Sequence, residues 1–327
     1  MERVLRDKRV LVTGGAGFIG SNLVESLLLS GNYVICLDNF STGKKTNLTD
    51  FLNHPSFKLI EGDIRDYNDC INAACGIDVV FHQAALGSVP RSIKDPVTTT
   101  DVNIGGFVKI LFASREAGVK RFIYAASSST YGDYPDLPKI EEKIGIPLSP
   151  YAITKYVDEL YAANFSKVYG IDVIGLRYFN VFGRRQDPDG PYAAVIPKFT
   201  KMLMEHKSPV INGDGTYSRD FTYIDNVLQA NHLAAIVEDK AAINQVYNVA
   251  HGERITLNQL FSVIREIAVR FDNSILKIEP EYGPERAGDI PHSQASVEKA
   301  KRLLGYSPTH TVAEGLEEAV EWFRNNL

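Results

Sequence analysis

Two side chains of this sequence, Tyr151 and Lys155, could together move a proton. They are four residues apart, so on an α-helix they would lie on one face, one turn from each other. A positive charge near a phenol favours its ionised form, which suits a general base. Tyr and Lys also occur at this spacing on amphipathic helices without a catalytic role, so the pair by itself leaves both interpretations open.

The residues before this pair favour the start of a helix. Ser149 is of a type that caps helix N-termini, and Pro150 suits the first helical turn. We therefore predict a helix over 150–169 that carries Tyr151 in its first turn and Lys155 in its second.

Hydroxyl side chains are concentrated at Ser127, Ser128, Ser129 and Thr130, directly after an apolar stretch over 120–126 that predicts a strand. Ligands of open α/β sheets bind at the carboxyl ends of the strands, so these hydroxyls could hydrogen-bond a substrate oxygen. Ser and Thr are also frequent in turns, and a polar turn is the alternative interpretation.

A glycine-rich turn stands between a predicted strand over 8–13 and a predicted helix over 21–29. Gly14, Gly17 and Gly20 are spaced three apart, whereas the commoner dinucleotide fingerprint is Gly-x-Gly-x-x-Gly. Glycines here allow a tight turn, close approach of the backbone to a pyrophosphate and close helix–strand packing. The helix N-terminus then offers free N–H groups to phosphate oxygens. We predict a dinucleotide-binding unit.

Asp38 ends the next predicted strand, over 33–37. A carboxylate at this place can accept hydrogen bonds from the adenosine ribose and would repel a 2′-phosphate. Because Asn39 and Phe40 follow it, no Arg is adjacent to bind such a phosphate. The pattern favours NAD over NADP, and the alternative is a surface acid at a strand end.

Strands and helices alternate from residue 8 to residue 180, with further strands predicted over 57–63, 78–85 and 171–180. This alternation predicts an α/β fold with a doubly wound parallel (Rossmann) sheet and a smaller α/β C-terminal lobe. His82 stands alone in an apolar run and is predicted to be a packed core residue.

The pattern is less regular after Asn180. We predict helices over 195–205, 223–238, 256–271, 296–304 and 312–325, a strand over 244–249, and short strands around a hairpin over 210–222. Residues 1–180 are predicted to form the NAD-binding Rossmann domain, with the chain returning to it at about 222–250. Residues 181–327 are predicted to form a smaller lobe over the carboxyl edge of the sheet, where ligands of open α/β sheets bind.

Composition excludes several classes of protein. The length of 327 residues suggests about two domains, and a net charge of −5 gives no basic surface for nucleic acid. No apolar run reaches the ~20 residues of a membrane span, and the N-terminal residues do not read as a signal peptide. Cys36, Cys70 and Cys75 lack metal-site spacing and are expected to be small core residues in a reducing cytoplasm.

Three arginines, Arg91, Arg219 and Arg286, fall in predicted loops or loop edges. Arg suits a diphosphate because its guanidinium is planar, bidentate and always charged. Tyr217 and Phe221 could stack on a base. The alternative for each arginine is an ordinary surface ion pair.

Together, these stretches resemble the extended short-chain dehydrogenase/reductase family over nearly the whole chain. The motifs that carry the resemblance are 13–20, Asp38-Asn39, 127–132, 151–155 and 177–183. Within that family the sequence is most similar to nucleotide-sugar 4-epimerases that act on UDP-glucose or UDP-N-acetylglucosamine. The stretches 125–133 and 184–188 resemble the subgroup that accepts N-acetylated sugars.

The resemblance implies a tightly bound NAD that is regenerated in each turnover. Tyr151 would take the proton of the sugar 4-hydroxyl while Ser127 and Ser129 hold that oxygen, and hydride would pass from C4 to the nicotinamide. The 4-keto sugar would swing about its diphosphate and take the hydride back on its other face. Lys155 would hold the nicotinamide ribose, and no metal is implied.

The resemblance also implies two sets of binding residues. The cofactor set is Gly14, Gly17, Phe18, Ile19, Gly20, Asp38, Asn39, Ser41, Gly43, Asp63, Ile64, Gln83, Ala84, Ala85, Tyr151, Lys155 and Tyr178. The UDP-sugar set is Ser88, Arg91, Ser127, Ser128, Tyr151, Asn180, Ala194, Val195, Asn212, Arg219, Arg286, Asp289 and Ser293.

Ser293 bears on specificity in this resemblance. It follows Pro291 by two residues, a position that lines the sugar cavity in the family. A bulky tyrosine there goes with rejection of the N-acetyl group, so a serine implies that UDP-N-acetylhexosamines are accepted together with UDP-hexoses. The alternative is that Ser293 is a surface residue.

Other functions remain open. A 4,6-dehydratase would place acids after Ser129, where this chain has Thr130 and Tyr131. A UDP-glucuronate epimerase or decarboxylase of the same family, and a non-catalytic NAD-binding scaffold, are the alternatives.

The family also implies a homodimer, for which the helices over 106–117 and 157–168 are our candidates.

Overall fold

The computed structural model describes residues 3–189, 193–285 and 290–326. Within these ranges, a central sheet contains seven strands: β1 (Arg9–Thr13), β2 (Tyr33–Asp38), β3 (Phe57–Glu61), β4 (Val79–His82), β5 (Arg121–Ser127), β6 (Asp172–Tyr178) and β11 (Gln245–Val249). Their spatial order is β11-β6-β5-β4-β1-β2-β3, and every neighbouring pair is parallel. The carboxyl ends of all these strands therefore lie along one edge.

The connections between the sheet strands are largely helical. The helices before β6 are α1 (Phe18–Leu29), α2 (Tyr67–Ala74), α3 (Val89–Lys94), α4 (Pro96–Thr100), α5 (Phe107–Glu116) and α6 (Pro150–Tyr169). A π-helical turn, Asp101–Gly106, joins α4 to α5, and single 3-10 segments cover Lys45–Phe51 and Ser128–Tyr131.

The second half of the chain combines helices with short strands. Its helices are α7 (Val195–Met204), α8 (Ile224–Ile236), α9 (Leu257–Val269), α10 (Glu298–Leu304) and α11 (Val312–Asn326), with a 3-10 segment over Asn273–Lys277. Its short strands are β7 (Val181–Phe182), β8 (Val210–Asn212), β9 (Ser218–Arg219), β10 (Thr222–Tyr223), β12 (Ile255–Thr256) and β13 (Glu281–Gly283).

Both faces of the central sheet are buried under helices. Because side chains alternate along a strand, Val12 of β1 belongs to the core that contains Leu23 of α1 and Leu233 of α8. The next residue back, Leu11, belongs to the opposite core with Phe107 of α5. Strands buried on both faces are apolar throughout, as their sequences are. The predicted doubly wound parallel sheet is confirmed.

The histidine prediction is also confirmed. His82 is buried between the rings of Phe107 and Phe122, whose centroids lie 5.4 and 5.8 Å from its own. Its Nδ1 shares a 2.8 Å hydrogen bond with Thr13 Oγ1. Burial lowers the pKa of His82 to about 3, so the ring is neutral at physiological pH.

The predicted hairpin over 210–222 is wrong. β8 pairs in parallel with β13, β9 pairs antiparallel with β12, and β10 pairs in parallel with β7. Gly213 and Gly215 do turn the chain, with φ of +72° and +77°. The turn residues mark a real bend, but the partners of the short strands come from distant segments.

Two smaller expectations also need correction. Cys36 and Cys70 are buried, but Cys75 is exposed because it follows the last residue of α2, where the chain turns away at the surface. Arg91 lies within α3 rather than in a loop.

In the described ranges, no helix is both long enough and apolar enough to cross a membrane.

Candidate active site

The helix that carries Tyr151 begins as predicted. Ser149 has an extended backbone, and its hydroxyl accepts a 3.1 Å hydrogen bond from the N–H of Ala152, while Pro150 occupies the first turn. The helix ends at Gly170, whose φ of +73° suits glycine. This start fixes Tyr151 at the N-terminal end of α6, near the carboxyl edge of the sheet.

Lys155 lies one turn further along the same helix and is almost fully buried. Its Nζ donates hydrogen bonds to the carbonyl oxygen of Ala125, at 3.0 Å, and to Asp158 Oδ2, at 3.2 Å. Tyr151 and Lys155 line the same cavity, which has a volume of about 470 Å³. Both side chains of the predicted pair therefore border the same cavity.

The hydroxyl cluster places one serine in this cavity. Ser127 is the last residue of β5 and lines the cavity, and its Oγ accepts hydrogen bonds from Ser129 Oγ, at 2.9 Å, and from the Ser129 N–H, at 3.2 Å. Ser128 and Ser129 belong to the 3-10 turn that follows and are not among the lining residues. The geometry thus separates Ser127, which faces the cavity, from Ser129, which supports it.

The glycine turn leaves no room for side chains. Gly14 has a φ of +69°, and a Cβ there would lie 2.7 Å from the backbone of Ala84. A Cβ on Gly20 would lie 2.0 Å from the carbonyl oxygen of Gly14. α1 begins directly after Gly17 without a side-chain cap, so the N–H groups of its first turn are available to phosphate oxygens.

Asp38 is hydrogen-bonded to the glycine turn and lies at the end of the cavity away from Tyr151. Its Oδ2 accepts a hydrogen bond from the N–H of Ala16 and its Oδ1 one from the N–H of Phe40, each at 2.8 Å. Burial raises the pKa of the Asp38 carboxyl. Each carboxylate oxygen can accept more than one hydrogen bond, so Asp38 retains acceptor capacity for ribose hydroxyls.

Asp63 is held next to Asp38 by its own partners. Arg65 pairs with it at 2.7 Å, and the side chain of Asn39 donates to its Oδ2 at 2.8 Å. The hydrogen bonds from Arg65 lower the pKa of Asp63 to about 2, so it is ionised at physiological pH. This end of the cavity therefore presents carboxylates, which suits ribose hydroxyls and opposes a 2′-phosphate.

The residues of this cavity fit a dinucleotide. Its lining includes every member of the predicted cofactor set: Gly14, Gly17, Phe18, Ile19, Gly20, Asp38, Asn39, Ser41, Gly43, Asp63, Ile64, Gln83, Ala84, Ala85, Tyr151, Lys155 and Tyr178. A cradle that a Cβ would fill, an uncapped helix N-terminus and a carboxylate end are the features that the two halves of NAD require.

A second cavity, of about 250 Å³, adjoins the first. Val181 lines both. Of the predicted UDP-sugar set, the second cavity is lined by Asn180, Ala194, Val195, Asn212 and Arg219, and its other lining residues include Lys198, Tyr217, Phe221 and Leu257. It therefore combines cationic and aromatic side chains, as a nucleoside diphosphate site requires.

Arg219 is oriented by the backbone around it. Its Nη1 donates to the carbonyl oxygens of Ser218 and Pro291, each at 3.0 Å. The next residue, Asp220, is fully buried and accepts hydrogen bonds from the N–H groups of Gly252 and Ala295, at 3.2 and 3.1 Å. The hydrogen bonds of Asp220 thus connect the segment that carries Arg219 to the segments that contain Gly252 and Ala295.

The remaining predicted residues lie outside the two cavity linings or outside the described residues. Ser88 caps α3, where its Oγ accepts from the N–H of Arg91 at 3.1 Å. Ser293 is half-buried, and its N–H donates to the carbonyl oxygen of Ser218 at 3.0 Å, which places it beside Arg219. Arg286 and Asp289 lie outside the described residues.

A buried ion pair that the sequence did not single out holds α6 against the sheet. Arg177 of β6 donates to both carboxylate oxygens of Glu159, at 2.8 and 2.7 Å, and also to the carbonyl oxygen of Glu141. Its guanidinium lies 4.8 Å from the ring centre of Tyr131, whose hydroxyl donates to Asn248 at 2.6 Å. The motif 177–183 was the available signal, although it did not reveal these partners.

Asn103 is a second residue that sequence reasoning missed. It lies in the π-helical turn, and its side chain accepts from the N–H of Leu86 at 2.8 Å and donates to Thr154 at 3.0 Å. Thr154 precedes Lys155, so Asn103 connects the cavity wall after β4 to the helix that carries Tyr151 and Lys155. A polar residue inside an apolar helix was the signal that could have revealed it.

The known proteins most informative for this site share its fold. Residues 10–250 match the model of the NAD dependent epimerase/dehydratase family. The chain is 37% identical over 321 residues to a putative UDP-glucose 4-epimerase of Methanocaldococcus jannaschii, a match that covers 97% of this chain and 99% of the relative.

Two solved structures resemble the whole chain. A UDP-N-acetylglucosamine 4-epimerase from Methanobrevibacter ruminantium, in complex with UDP-N-acetylmuramic acid, has a TM-score of 0.92 and 40% identity and covers 99% of this chain and 100% of its own. A UDP-glucuronic acid 4-epimerase from Bacillus cereus, in complex with UDP-glucuronic acid and NAD, has a TM-score of 0.88 and 31% identity, covering 98% and 100%.

This chain therefore belongs to the NAD-dependent epimerase/dehydratase family. It is an enzyme, and NAD is its cofactor. The family resemblance and the cofactor predicted from the sequence are both confirmed.

Proposed function

We propose that this enzyme reversibly inverts C4 of UDP-N-acetylglucosamine and UDP-N-acetylgalactosamine, and that it also accepts UDP-glucose and UDP-galactose. The observation that carries the proposal is that two cavities share Val181 in their walls: one is lined by Tyr151, Lys155 and Ser127, and the other by Arg219 and Asn180. A UDP-sugar of this class would span both, with its hexose beside Tyr151 and its nucleotide in the second cavity.

The side chains at the junction have distinct tasks in this proposal. Tyr151 removes the proton from the 4-hydroxyl and later returns it, acting first as base and then as acid. Ser127 hydrogen-bonds the same oxygen, because its own O–H remains for donation while it accepts from Ser129. Lys155 supplies a buried positive charge, which favours the phenolate.

Bound NAD would supply a hydride acceptor at C4 and a hydride donor to the resulting ketone. The cofactor set named above would hold it, with the glycine turn at the pyrophosphate and Asp38 at the adenosine ribose. Retention of the cofactor through a whole turnover requires a site closed around it. Lys44 and Asp187, which form a 2.9 Å ion pair between the loop after β2 and the segment after β7, both line this cavity.

The nucleotide is assigned to the second cavity. Arg219 and Lys198 would neutralise the diphosphate, and Tyr217 and Phe221 would contact the uracil. Residues 1–180 would accordingly bind the cofactor, and the substrate lobe would be formed within 181–327.

Acceptance of the N-acetyl group is proposed from Ser293. Its N–H is bonded to the carbonyl oxygen of Ser218, so its small side chain lies next to the strand that carries Arg219. A small residue leaves space that a bulky one would fill, and a large pocket discriminates only weakly against a smaller sugar. The Methanobrevibacter ruminantium relative, which is named for UDP-N-acetylglucosamine, supports this choice.

The test is an assay of purified enzyme without added NAD. UDP-N-acetylglucosamine, UDP-glucose and UDP-glucuronate are incubated separately, and the sugars released from the products are resolved by chromatography. The proposal expects both N-acetylgalactosamine and galactose to form. Turnover of UDP-glucuronate alone would instead assign the enzyme to the uronate branch, which the Bacillus cereus relative represents.

We also propose a cytoplasmic homodimer. Ile153, Leu160 and Val168 of α6 are about half exposed, at 49%, 53% and 58%, and Val97 of the adjacent α4 is 78% exposed. A second copy would cover this apolar face, which lies on the candidate helix 157–168 and on α4 rather than on 106–117. Sedimentation of the enzyme at micromolar concentration, with a dimer mass expected, tests the assembly.

A further inference from the structure

The cluster behind the catalytic pair contains an acid to which the proposed mechanism gives no task. Asp158 lies one helical turn after Lys155 and is fully buried. Its Oδ2 accepts the hydrogen bond from Lys155 Nζ at 3.2 Å, and its Oδ1 has no hydrogen-bond partner. A buried carboxylate with only one oxygen satisfied is an unfavourable residue for a purely structural position.

The hydrogen bonds of Lys155 define where its third donor points. An ammonium has three N–H groups, and here one is directed to the carbonyl oxygen of Ala125 and one to Asp158. Lys155 nevertheless lines the cofactor cavity. The remaining N–H is thus left for the cavity, where the nicotinamide ribose is expected.

The other titratable groups around Asp158 do not replace it. On the same helix, Glu159 accepts hydrogen bonds from two of the three guanidinium nitrogens of Arg177, Nε and Nη2. On β4, burial keeps His82 neutral, and on β5, burial raises the pKa of Tyr124 and keeps its phenol neutral. Among the described residues, Asp158 is the acid that forms an ion pair with Lys155.

We propose that Asp158 is a positioning residue that sets both the direction and the net charge of the Lys155 ammonium, and so tunes Tyr151. The proposal rests on the function proposed above. Its hydrogen bond aims the free N–H of Lys155 at the cofactor ribose. Its negative charge cancels part of the positive charge that Tyr151 experiences, since opposite charges so close act on a third group almost as a dipole.

The pKa of Asp158 supports this coupling. Burial raises the pKa of Asp158 above its usual value, and the Lys155 ammonium acts in the opposite direction. The Asp158 carboxyl therefore ionises at a higher pH than an ordinary aspartate. As it ionises, it should weaken the effect of Lys155 on Tyr151 and broaden the acid side of the pH–rate profile.

The experiment compares Asp158→Asn, Asp158→Ala and a control, Glu159→Gln. Asn keeps an acceptor oxygen for the ammonium but removes the charge, whereas Ala removes both. Glu159 is the adjacent buried acid on the same helix, and it contacts Arg177 instead of Lys155. The dissociation constant of NAD, the dependence of kcat on pH and the thermal midpoint are measured for each variant.

For Asp158→Asn, the dissociation constant of NAD should stay within about threefold of that of the unmodified enzyme. The acid limb of the pH–kcat profile should move to lower pH by about half a unit and become steeper. For Asp158→Ala, NAD affinity should fall by about tenfold or more, because the ammonium loses its anchor. Glu159→Gln should lower the thermal midpoint and move the acid limb of the pH–kcat profile less than Asp158→Asn does.

An acid limb that is unchanged in Asp158→Asn, together with NAD affinity unchanged in Asp158→Ala, would overturn the proposal. If Asp158→Ala does not fold, the position and slope of the acid limb in the pH–kcat profile of Asp158→Asn decide by themselves whether the proposal holds. The NAD measurement does not depend on which sugar is converted. Failure of the proposed function would be seen separately, as absence of epimerisation by the unmodified enzyme.

Discussion

Ser129 donates a 2.9 Å hydrogen bond from its hydroxyl to the hydroxyl of Ser127, and only Ser127 of the two lines the cofactor cavity. In the proposed function, Ser129 would therefore orient Ser127, and Ser127 would contact the substrate. Ser127→Ala should lower kcat by about 10- to 100-fold, because a hydrogen bond to a developing charge is lost.

Ser129→Ala should be milder, with a loss in kcat below about tenfold, because the N–H of Ser129 still donates to Ser127. Steady-state kinetics on both variants, with NAD content measured on the same preparations, check this order. Equal losses for the two serines would show that both contact the substrate directly.

Tyr151→Phe should leave the fold and the NAD content intact, because the ring stays in place at the start of α6. Turnover should fall by about 10²- to 10⁴-fold, as expected when a general base is removed. The measurement is product formation at saturating substrate over several hours. Turnover close to that of the unmodified enzyme would remove Tyr151 from the role of base.

The buried pair of Arg177 and Glu159 predicts a large and asymmetric effect on stability. Glu159→Gln should cost about 3–5 kcal/mol of unfolding free energy, because Arg177 is left buried without its counterion. Urea unfolding measures the difference.

An exposed pair provides the control for this experiment. Arg270 and Glu317 lie 3.1 Å apart with more than half of each side chain exposed, and Glu317→Gln should change stability by less than about 1 kcal/mol. The double variant Arg177→Met with Glu159→Leu should recover much of the loss. A loss as small as that of Glu317→Gln would mean that the buried pair contributes little.

Asp220 predicts a pH dependence of stability. Burial raises its pKa to about 7, although the N–H groups of Ala295, Gly252 and His251 act in the opposite direction. The unfolded value is about 3.9, so the folded state binds more protons between these values, and this contribution to stability falls as pH rises from about 4 to about 7.

The measurement compares the enzyme with Asp220→Asn by urea unfolding at several pH values. The stability of the enzyme relative to the variant should decline by about 3 kcal/mol across that window. Substitution of the exposed Asp50 by Asn serves as the control and should show no such trend. A relative stability that rises with pH would mean that the backbone donors, rather than burial, dominate the carboxyl.

Ser293→Tyr should reduce activity on UDP-N-acetylglucosamine by about tenfold more than activity on UDP-glucose, because the added ring would occupy the space for the N-acetyl group. The ratio of kcat/KM for the two substrates, measured on one preparation, cancels any loss of folded enzyme. Equal losses would mean that residue 293 does not contact the N-acetyl group.

The parts of the fold that the sequence predicted are those in which the signal is local. The glycine spacing after β1, the Ser149-Pro150 start of α6 and the apolar strands each report a conformation within a few residues. The proposed location of the cofactor follows from these signals, since parallel strands bring their carboxyl ends to one edge, whereas the individual cofactor residues came from the family resemblance.

The parts that were missed depend on contacts between distant segments. β8 pairs with β13, some seventy residues away, while the turn residues between them suggested a hairpin. The partners of Arg177 come from α6 and from the loop that contains Glu141. Neither arrangement leaves a periodic pattern in the sequence, because each is decided by which segments the sheet brings together.

The edge strand β11 has a consequence for any attempt to divide this enzyme. It is formed by Gln245–Val249, yet it completes the sheet by pairing with β6. A fragment that stops near residue 180 would carry an unpaired, largely apolar edge, a known route to aggregation. Such a fragment should recover solubility only when the missing half is supplied in trans, so chimaeras that exchange substrate lobes between relatives must keep β11 with its original partner.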